Sequence, residues 1–135
     1  MKRGRLKKKS KQSISLIQRK LWEECRRIAG KIYANKDGSV DCYTCGAKNL
    51  QGANRQLGHL WAKASLGAYL KYDLRILRWQ DYRCNINMGG AGADFYLKMW
   101  QENGAEYMDI LKADRQKTVK AMDFYLDLLE KYKLL

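Results

Sequence analysis

Hydrophobic residues recur at helical spacing in the first third of the chain. Ser13 is a suitable helix N-cap. After it, apolar positions fall three or four residues apart, at Ile17, Leu21, Cys25, Ile28 and Ile32. This spacing predicts an amphipathic helix over residues 13–36. Its end is predicted by a cluster of turn-forming residues, Asn35, Asp37 and Gly38.

The last third of the chain shows the same periodicity. A helix is predicted from Asp94 to about Glu102, ended by Asn103-Gly104, and another from Ala105 to Lys112. The final helix carries one apolar stripe and further apolar residues beside it, namely Val119, Met122, Leu126 and Leu129, then Tyr125, Leu128 and Tyr132. These stripes are wider than an exposed helix tolerates, so residues 117–133 are expected to pack on the first helix or to form a homodimer.

The middle of the chain, residues 39–92, is different. Its apolar runs are short, at residues 57–60 and 74–79, and three glycines (Gly89, Gly90 and Gly92) interrupt it. Short strands or a hairpin are expected within residues 39–60 and another extended segment at 74–79, with a short helix from Cys84. The whole is a mainly helical α+β fold. A basic flexible arm (1–12) precedes one domain (13–135), made of the first helix, this small core (39–92) and C-terminal helices (93–135).

The charge of the chain points to a polyanionic partner. There are 27 Lys and Arg against 14 Asp and Glu, a formal net charge of +13. The most abundant cellular polyanions are nucleic acids, so a nucleic acid is the expected partner, with an anionic membrane surface or an acidic protein as alternatives. Residues 1–20 carry no acidic residue, and Lys7, Lys8 and Lys9 of this arm are candidate phosphate contacts. Neither a membrane-length apolar run nor a secretory signal is visible, which predicts a cytoplasmic protein without a membrane partner.

Two pairs of residues have the spacing of metal ligands. Cys42 and Cys45 form a C-x-x-C turn, and Asp81 and Cys84 repeat that spacing. Zinc takes four ligands in a tetrahedron, and thiolate, imidazole and carboxylate all serve. We therefore expect a structural Zn²⁺ held by Cys42, Cys45 and Cys84, with Asp81 as the fourth ligand.

The fourth position has alternatives. His59, the only histidine, could fill it, as could Cys25 or a water molecule. Cys25 lies on the apolar stripe of the first helix, which favours a buried small hydrophobe. Three free thiols without metal are the remaining interpretation.

The order of these motifs resembles the NinG (Rap) family of phage recombination nucleases. The resemblance covers about Lys20 to Leu111. It rests on Lys20-Leu21-Trp22, Cys42-Tyr43-Thr44-Cys45-Gly46, Gly58-His59-Leu60, Asp73, Gln80 through Asn85, Gly89-Gly90 and Asn103 through Tyr107. Phage endonuclease VII is similar in the core.

This resemblance implies a ββα-metal (His-Me finger, or HNH) core with a structural zinc knuckle. It implies a metal-dependent endonuclease that cuts branched recombination intermediates, such as Holliday junctions and D-loops, in the host cytoplasm. His59 would be the general base. Asn85 would help to hold a catalytic Mg²⁺ or Mn²⁺.

The chain departs from the family at two positions. Asp81 stands where a cysteine is common, and Gly58 stands where many His-Me enzymes have an acid. Asp73 is a candidate replacement for that acid, since hard cations prefer carboxylate oxygens; its other interpretation is a turn or cap residue.

Several of the basic residues near these motifs are expected to contact the DNA backbone; the candidates are Lys63, Lys71, Arg75, Arg78 and Arg83. Trp61, Trp79 and Tyr82 lie among them and could stack on exposed bases, although core packing is an equal interpretation for Trp79. A non-catalytic zinc-knuckle module that binds DNA is the main alternative to a nuclease. A redox protein using Cys42 and Cys45 is disfavoured, because no βαβ context surrounds them.

Overall fold

The computed structural model describes residues 2–135, with side chains from residue 14 onward. The helices are α1 (Lys2–Tyr33), α2 (Ala68–Lys71), α3 (Gly92–Asn103), α4 (Ala105–Asp114) and α5 (Ala121–Lys133). Strands β1 (Gln56–His59) and β2 (Leu77–Gln80) pair antiparallel, with Gln56 opposite Gln80 and His59 opposite Leu77. A short π-helical turn, Arg83–Asn87, follows β2. The predicted mainly helical α+β class is confirmed.

Helix α1 begins earlier than the sequence predicted, at Lys2 instead of Ser13. Most residues between these points are Lys, Arg, Gln and Leu, which favour helix, so the backbone continues without a cap. The side chains of residues 1–13, including Lys7, Lys8 and Lys9, lie outside the described residues. The predicted apolar stripe is buried except for Ile32, which is 59% exposed. Helix α5 ends at Lys133, and the last residues of the chain meet α1 through hydrogen bonds from Arg27 and Lys31 to backbone carbonyls.

Helix α5 packs on α1, which was one of the two arrangements predicted for residues 117–133; the other was a homodimer. The stripe that it buries is Tyr125, Leu129 and Tyr132, whereas Val119 and Leu126 are exposed. The aromatic stripe is the buried one because Tyr125 and Tyr132 both contact Tyr72. Tyr125 packs edge-on against Tyr72, and the Tyr132 hydroxyl donates to the Tyr72 carbonyl at 2.6 Å.

The two-stranded sheet lies between two apolar clusters. Leu57, Leu77 and Trp79 pack with α1 and α5. Leu60 and Ile76, at the ends of the strands, pack instead with α3 and α4 around Phe95. The sheet is thus held on both sides, which fixes the position of the residues at its edges. Within the part of the chain that the structure describes, no helix has the length and hydropathy to cross a bilayer.

Candidate metal centre and basic cleft

Four predicted ligands meet at one point beside the sheet. One ligand atom each from Cys42, Cys45, Asp81 and Cys84 lies within 4.8 Å of all the others. Tetrahedral zinc with thiolate bonds of about 2.3 Å needs its sulfurs about 3.8 Å apart, so a small contraction accommodates the ion. The three sulfurs and one carboxylate oxygen therefore fit Zn²⁺ as a donor set.

Backbone hydrogen bonds hold the residues of this cluster in place without an ion. The Gly46 amide donates to the Cys42 carbonyl at 3.0 Å, and the Cys42 amide to the Ala47 carbonyl at 2.8 Å, so the C-x-x-C turn closes on itself. Gly46 has a φ of +77°, which glycine adopts without strain. The Tyr43 amide donates to the Trp79 carbonyl at 2.8 Å and joins the turn to β2. Asp81 and Cys84 follow β2 directly, which brings the two halves together.

The cluster combines one carboxylate with three thiols whose pKa values are shifted in different directions. Asp81 Oδ1 accepts from the Cys84 amide at 2.7 Å, and Asp81 Oδ2 accepts from Cys45 Sγ at 3.0 Å. The hydrogen bond from Cys45 lowers the pKa of Asp81, which keeps its carboxylate charged. Burial disfavours the thiolate of Cys42, but hydrogen bonds to Thr44 and to the Cys45 and Asp81 amides lower its pKa to about 7. Burial and the hydrogen bond to Asp81 raise the pKa of Cys45 to about 12, and burial raises the pKa of Cys84, so these two thiolates would need a bound cation to form.

The two other protein ligands considered for the fourth position lie elsewhere. Cys25 is fully buried under α1, its Sγ faces the Tyr72 carbonyl at 3.6 Å, and burial raises its pKa to about 12. It is a buried small hydrophobe, as the helical stripe indicated. His59 is committed to other contacts, and the described ligand cluster does not include it.

His59 is held by a backbone carbonyl and an indole. Its Nε2 lies 2.9 Å from the Lys71 carbonyl oxygen. A carbonyl can only accept, so Nε2 carries the proton and Nδ1 keeps a free lone pair. The ring stacks on Trp22 of α1, with centroids 5.3 Å apart and planes within 4°. Burial lowers the pKa of His59, so the imidazole is neutral at pH 7.

His59 and Asn85 line one cleft of about 470 Å³. Trp22 and Trp61 form apolar parts of its wall, and Lys63 supplies a charge. Both residues therefore border one cleft, and their catalytic roles stay predictions. The π-helical turn that carries Asn85 begins two residues after Asp81 and contains Cys84, so the ligand cluster and the cleft share a support.

Cations continue along α1 on both sides of Trp22. A second hollow beside Asn85 is lined by Arg26 and Arg55, and a third holds Arg19, Lys63 and Lys71 with one acid, Glu23. Arg26 and Arg55 each lie over the Trp79 ring, at 5.2 and 4.4 Å from its centroid. Burial and the charge of Arg55 lower the pKa of Arg26. The sequence analysis missed both arginines, although Arg26 is four residues after Trp22 on the same helix.

Asp73 lies outside this cleft. It caps a short turn by accepting from the Arg75 amide at 2.9 Å, and it pairs with the Arg75 guanidinium at 2.7 Å. Arg75 also pairs with the buried Asp114 at 2.9 Å. The turn-and-cap interpretation therefore describes Asp73, and the expected role beside His59 is not supported by its position.

The predicted DNA contacts divide into two groups. Arg75 is neutralised by its two acids, and Arg78 donates to the carbonyls of Leu74, Arg75 and Leu77 while stacking on Tyr33 and Tyr43. Both side chains hold the fold together. Lys63 lies in the cleft wall and Arg83 is exposed on the turn of Asn85, so both remain available. Trp79 is 2% exposed and belongs to the core, whereas Tyr82 is 48% exposed.

Gln80, for which the sequence predicted no role, is a further polar side chain, and it lies behind the cleft wall beside Asn85 and Gly90. It is fully buried, and its Nε2 donates to the Gly90 carbonyl at 2.8 Å and to Thr44 Oγ1 at 3.0 Å. Its Oε1 crosses over Gly58 and has no hydrogen-bond partner among the described residues.

No protein-family model, no curated protein and no solved structure matches this chain. The resemblance to the NinG nucleases stays a prediction.

Proposed function

We propose that this protein is a metal-dependent endonuclease for branched DNA, with a ββα-metal core held together by structural zinc. The observation that carries the proposal is the state of His59. Its Nε2 proton is committed to the Lys71 carbonyl, its Nδ1 is free, and it shares a cation-rich cleft with Asn85. A neutral imidazole with one free nitrogen is what general-base catalysis requires.

The residues of the cleft support one reaction. His59 Nδ1 takes a proton from water, the resulting hydroxide attacks phosphorus, and the bond from phosphorus to the leaving sugar oxygen breaks. That oxygen takes a proton from solvent. Trp22 and the Lys71 carbonyl hold the imidazole plane during the proton transfer. When bound, a divalent cation polarises the phosphate and stabilises the leaving oxygen, and Asn85 is the residue positioned to hold it.

Zinc is assigned a structural role for a physical reason. Cys42, Cys45, Asp81 and Cys84 would supply all four ligands of a tetrahedral zinc ion. No coordination position on the ion would then be open for a substrate. The ion would join the C-x-x-C turn to the segment after β2, and that segment carries Asn85. The proposed zinc site thus sets Asn85 relative to His59.

The selection of branched DNA follows from the family resemblance and from the charge. The cations on both sides of Trp22 extend beyond one phosphate, and shape and charge would then decide affinity, with few contacts to base edges. A homodimer would suit two cuts in one junction. DNA and a second copy of the chain are therefore the proposed partners.

The test uses zinc-loaded protein with labelled four-way junctions, D-loops and plain duplex, with and without added Mg²⁺ or Mn²⁺. Cleavage should need the added cation and prefer branched substrates. His59→Ala should reduce the cleavage rate by about 10²–10⁴-fold. Its zinc content and unfolding temperature should stay close to those of the wild type, and free imidazole should restore part of the rate.

Two results would separate this proposal from its alternative. Binding without cleavage on every branched substrate would favour a non-catalytic zinc-knuckle accessory protein. Loss of zinc from His59→Ala would make His59 a metal ligand and remove the general base.

A further inference from the structure

Two amide oxygens meet on one face of Gly58 in β1. Gln80 Oε1 lies 1.8 Å from the position that a β-carbon on Gly58 would occupy, and Asn85 Oδ1 lies 2.9 Å from the same position. Only a residue without a side chain leaves room for both. The two oxygens are thus neighbours: Asn85 lines the cleft that His59 also lines, and Gln80 Oε1 lies behind that wall, enclosed beside Asn85 Oδ1.

The orientation of the Gln80 amide is fixed by its surroundings. Its Nε2 donates to the Gly90 carbonyl at 2.8 Å, and a carbonyl cannot donate in return. The oxygen must therefore point the other way, over Gly58. It is fully enclosed, and none of the described residues donates to it. A buried carbonyl oxygen without a donor costs free energy, so its retention needs a reason.

The Asn85 amide is oriented by a second chain of hydrogen bonds. Gln56 Nε2 donates to the Ala53 carbonyl at 3.0 Å, which leaves Gln56 Oε1 as an acceptor. Asn85 Nδ2 donates to that oxygen at 2.8 Å. Asn85 Oδ1 is then the atom that faces Gly58. Both amides present oxygen, and neither presents nitrogen, to the same point.

We propose that Gln80 Oε1 and Asn85 Oδ1 together bind the divalent cation of the cleft, so that Gln80 is a metal-binding residue of the site. This inference rests on the proposed function. Amide carbonyl oxygens are accepted ligands of hard divalent cations. A cation between the two oxygens removes the cost of leaving Gln80 Oε1 without a partner. Gly58 has no carboxylate to offer, and the buried amide from the neighbouring strand supplies an oxygen at that position.

The experiment measures Mn²⁺ binding directly, by electron paramagnetic resonance. The reference is zinc-loaded His59→Ala protein bound to a four-way junction, because this background leaves the DNA uncut. Gln80→Met in this background keeps the length of the side chain and removes the oxygen. It should weaken Mn²⁺ binding roughly tenfold or more, since even indirect partners of a metal contribute that much. Gln51→Met, the same change at an exposed glutamine outside the cleft, should leave the affinity unchanged.

A swap variant tests the position of the oxygen independently. Gly58→Asp combined with Gln80→Ala moves the oxygen ligand from β2 to β1, and it should bind Mn²⁺ at least as tightly as the reference. This variant also decides the matter if Gln80→Met fails to retain zinc. Mn²⁺ binding weaker than that of Gln80→Ala alone would then contradict the inference.

Two outcomes overturn the inference in different ways. If Gln80→Met binds Mn²⁺ like the reference while Asn85→Ala does not, Gln80 is no ligand and the proposed nuclease stands. If the reference itself binds no Mn²⁺ with DNA present, the inference and the proposed function fail together.

Discussion

The side-chain oxygen of Gln80 occupies the space that a β-carbon on Gly58 would need. The distance between that oxygen and the ideal β-carbon position is 1.8 Å, well inside any van der Waals contact. Gly58 is therefore required by Gln80, a residue of the opposite strand. The two strands of the sheet thereby hold one buried amide beside Asn85, a residue of the cleft wall.

Gly58→Ala should destabilise the protein, because the new methyl must displace the Gln80 amide from its bonds to Gly90 and Thr44. We expect the free energy of unfolding to fall by about 1–3 kcal/mol, the usual cost of overpacking. Urea denaturation monitored by circular dichroism measures it. Gly92→Ala is the matched control, since its β-carbon would meet only the Leu60 carbonyl at 3.8 Å. Equal effects of the two substitutions would contradict the steric argument.

The pH dependence of cleavage should reflect the buried state of His59. Burial lowers the pKa of His59 below the ordinary 6.5, and the charges of Lys63 and Lys71 lower it further, against the hydrogen bond to the Lys71 carbonyl. The neutral base thus persists to lower pH, and the acid limb of the rate profile should lie below 6.5. Lys63→Gln should move that limb to higher pH. An acid limb above 6.5 in the wild type would contradict this assignment.

Stability should follow the same titration. The folded state binds fewer protons than the unfolded state once the pH falls below 6.5, so the unfolding free energy should decrease with falling pH there. His59→Ala should lack this component. Thermal unfolding from about pH 7.5 to about pH 5, at constant ionic strength, measures the unfolding free energy of the wild type and of His59→Ala. Parallel curves would show that His59 titrates alike in both states.

Zinc affinity should depend on Asp81 in a graded way. Asp81→Ala removes both the charge and the acceptor for the Cys84 amide, and it should weaken zinc binding by roughly tenfold or more. Asp81→Asn keeps an oxygen and should fall between Asp81→Ala and the wild type. Asp81→Cys supplies a softer thiolate and should bind zinc more tightly. Competition with a chromogenic chelator ranks the four proteins. Unchanged affinity in Asp81→Ala would mean that another ligand fills the position.

Arg26 and Arg55 should contribute to DNA binding through phosphates. Replacing both with glutamine should weaken binding to junctions and duplex alike, and it should reduce the slope of log affinity against log salt by roughly 2. Fluorescence anisotropy without divalent cation measures it. Lys36→Gln combined with Lys131→Gln removes the same charge from exposed positions outside the three hollows. If both double variants behave alike, only net charge matters and the two arginines form no site.

Periodicity and residue type were enough to predict four of the five helices, all but α2, and the residues of the metal cluster. A helix buries one stripe, so the spacing of Ile17, Leu21, Cys25 and Ile28 was sufficient to predict which face of α1 is covered. The repeated x-x spacing identified Cys42, Cys45, Asp81 and Cys84 because a tight turn brings such pairs together whatever surrounds them. Helix stripes and ligand pairs depend on residues that are close in the sequence, so the sequence alone predicts them.

Contacts between distant segments decided everything else. Trp22 stacks on His59, although 37 positions of sequence separate them. The Lys71 carbonyl, which fixes the tautomer of the His59 imidazole, comes from a third segment. Backbone carbonyls carry no signal in the sequence, because every residue has one. The sequence also did not show that the Asp73 carboxylate pairs with Arg75, outside the cleft.

By itself, the sequence determined the α+β class, the buried stripe of α1, the four clustered ligands and the positive charge. Only the tertiary structure decided that His59 is excluded from the ligand cluster and that Gln80 fills the space above Gly58. The physical reason is that spacing along the chain sets which residues lie on one face of an element. Which faces meet, and which polar atoms are left without partners, depends on how the elements pack.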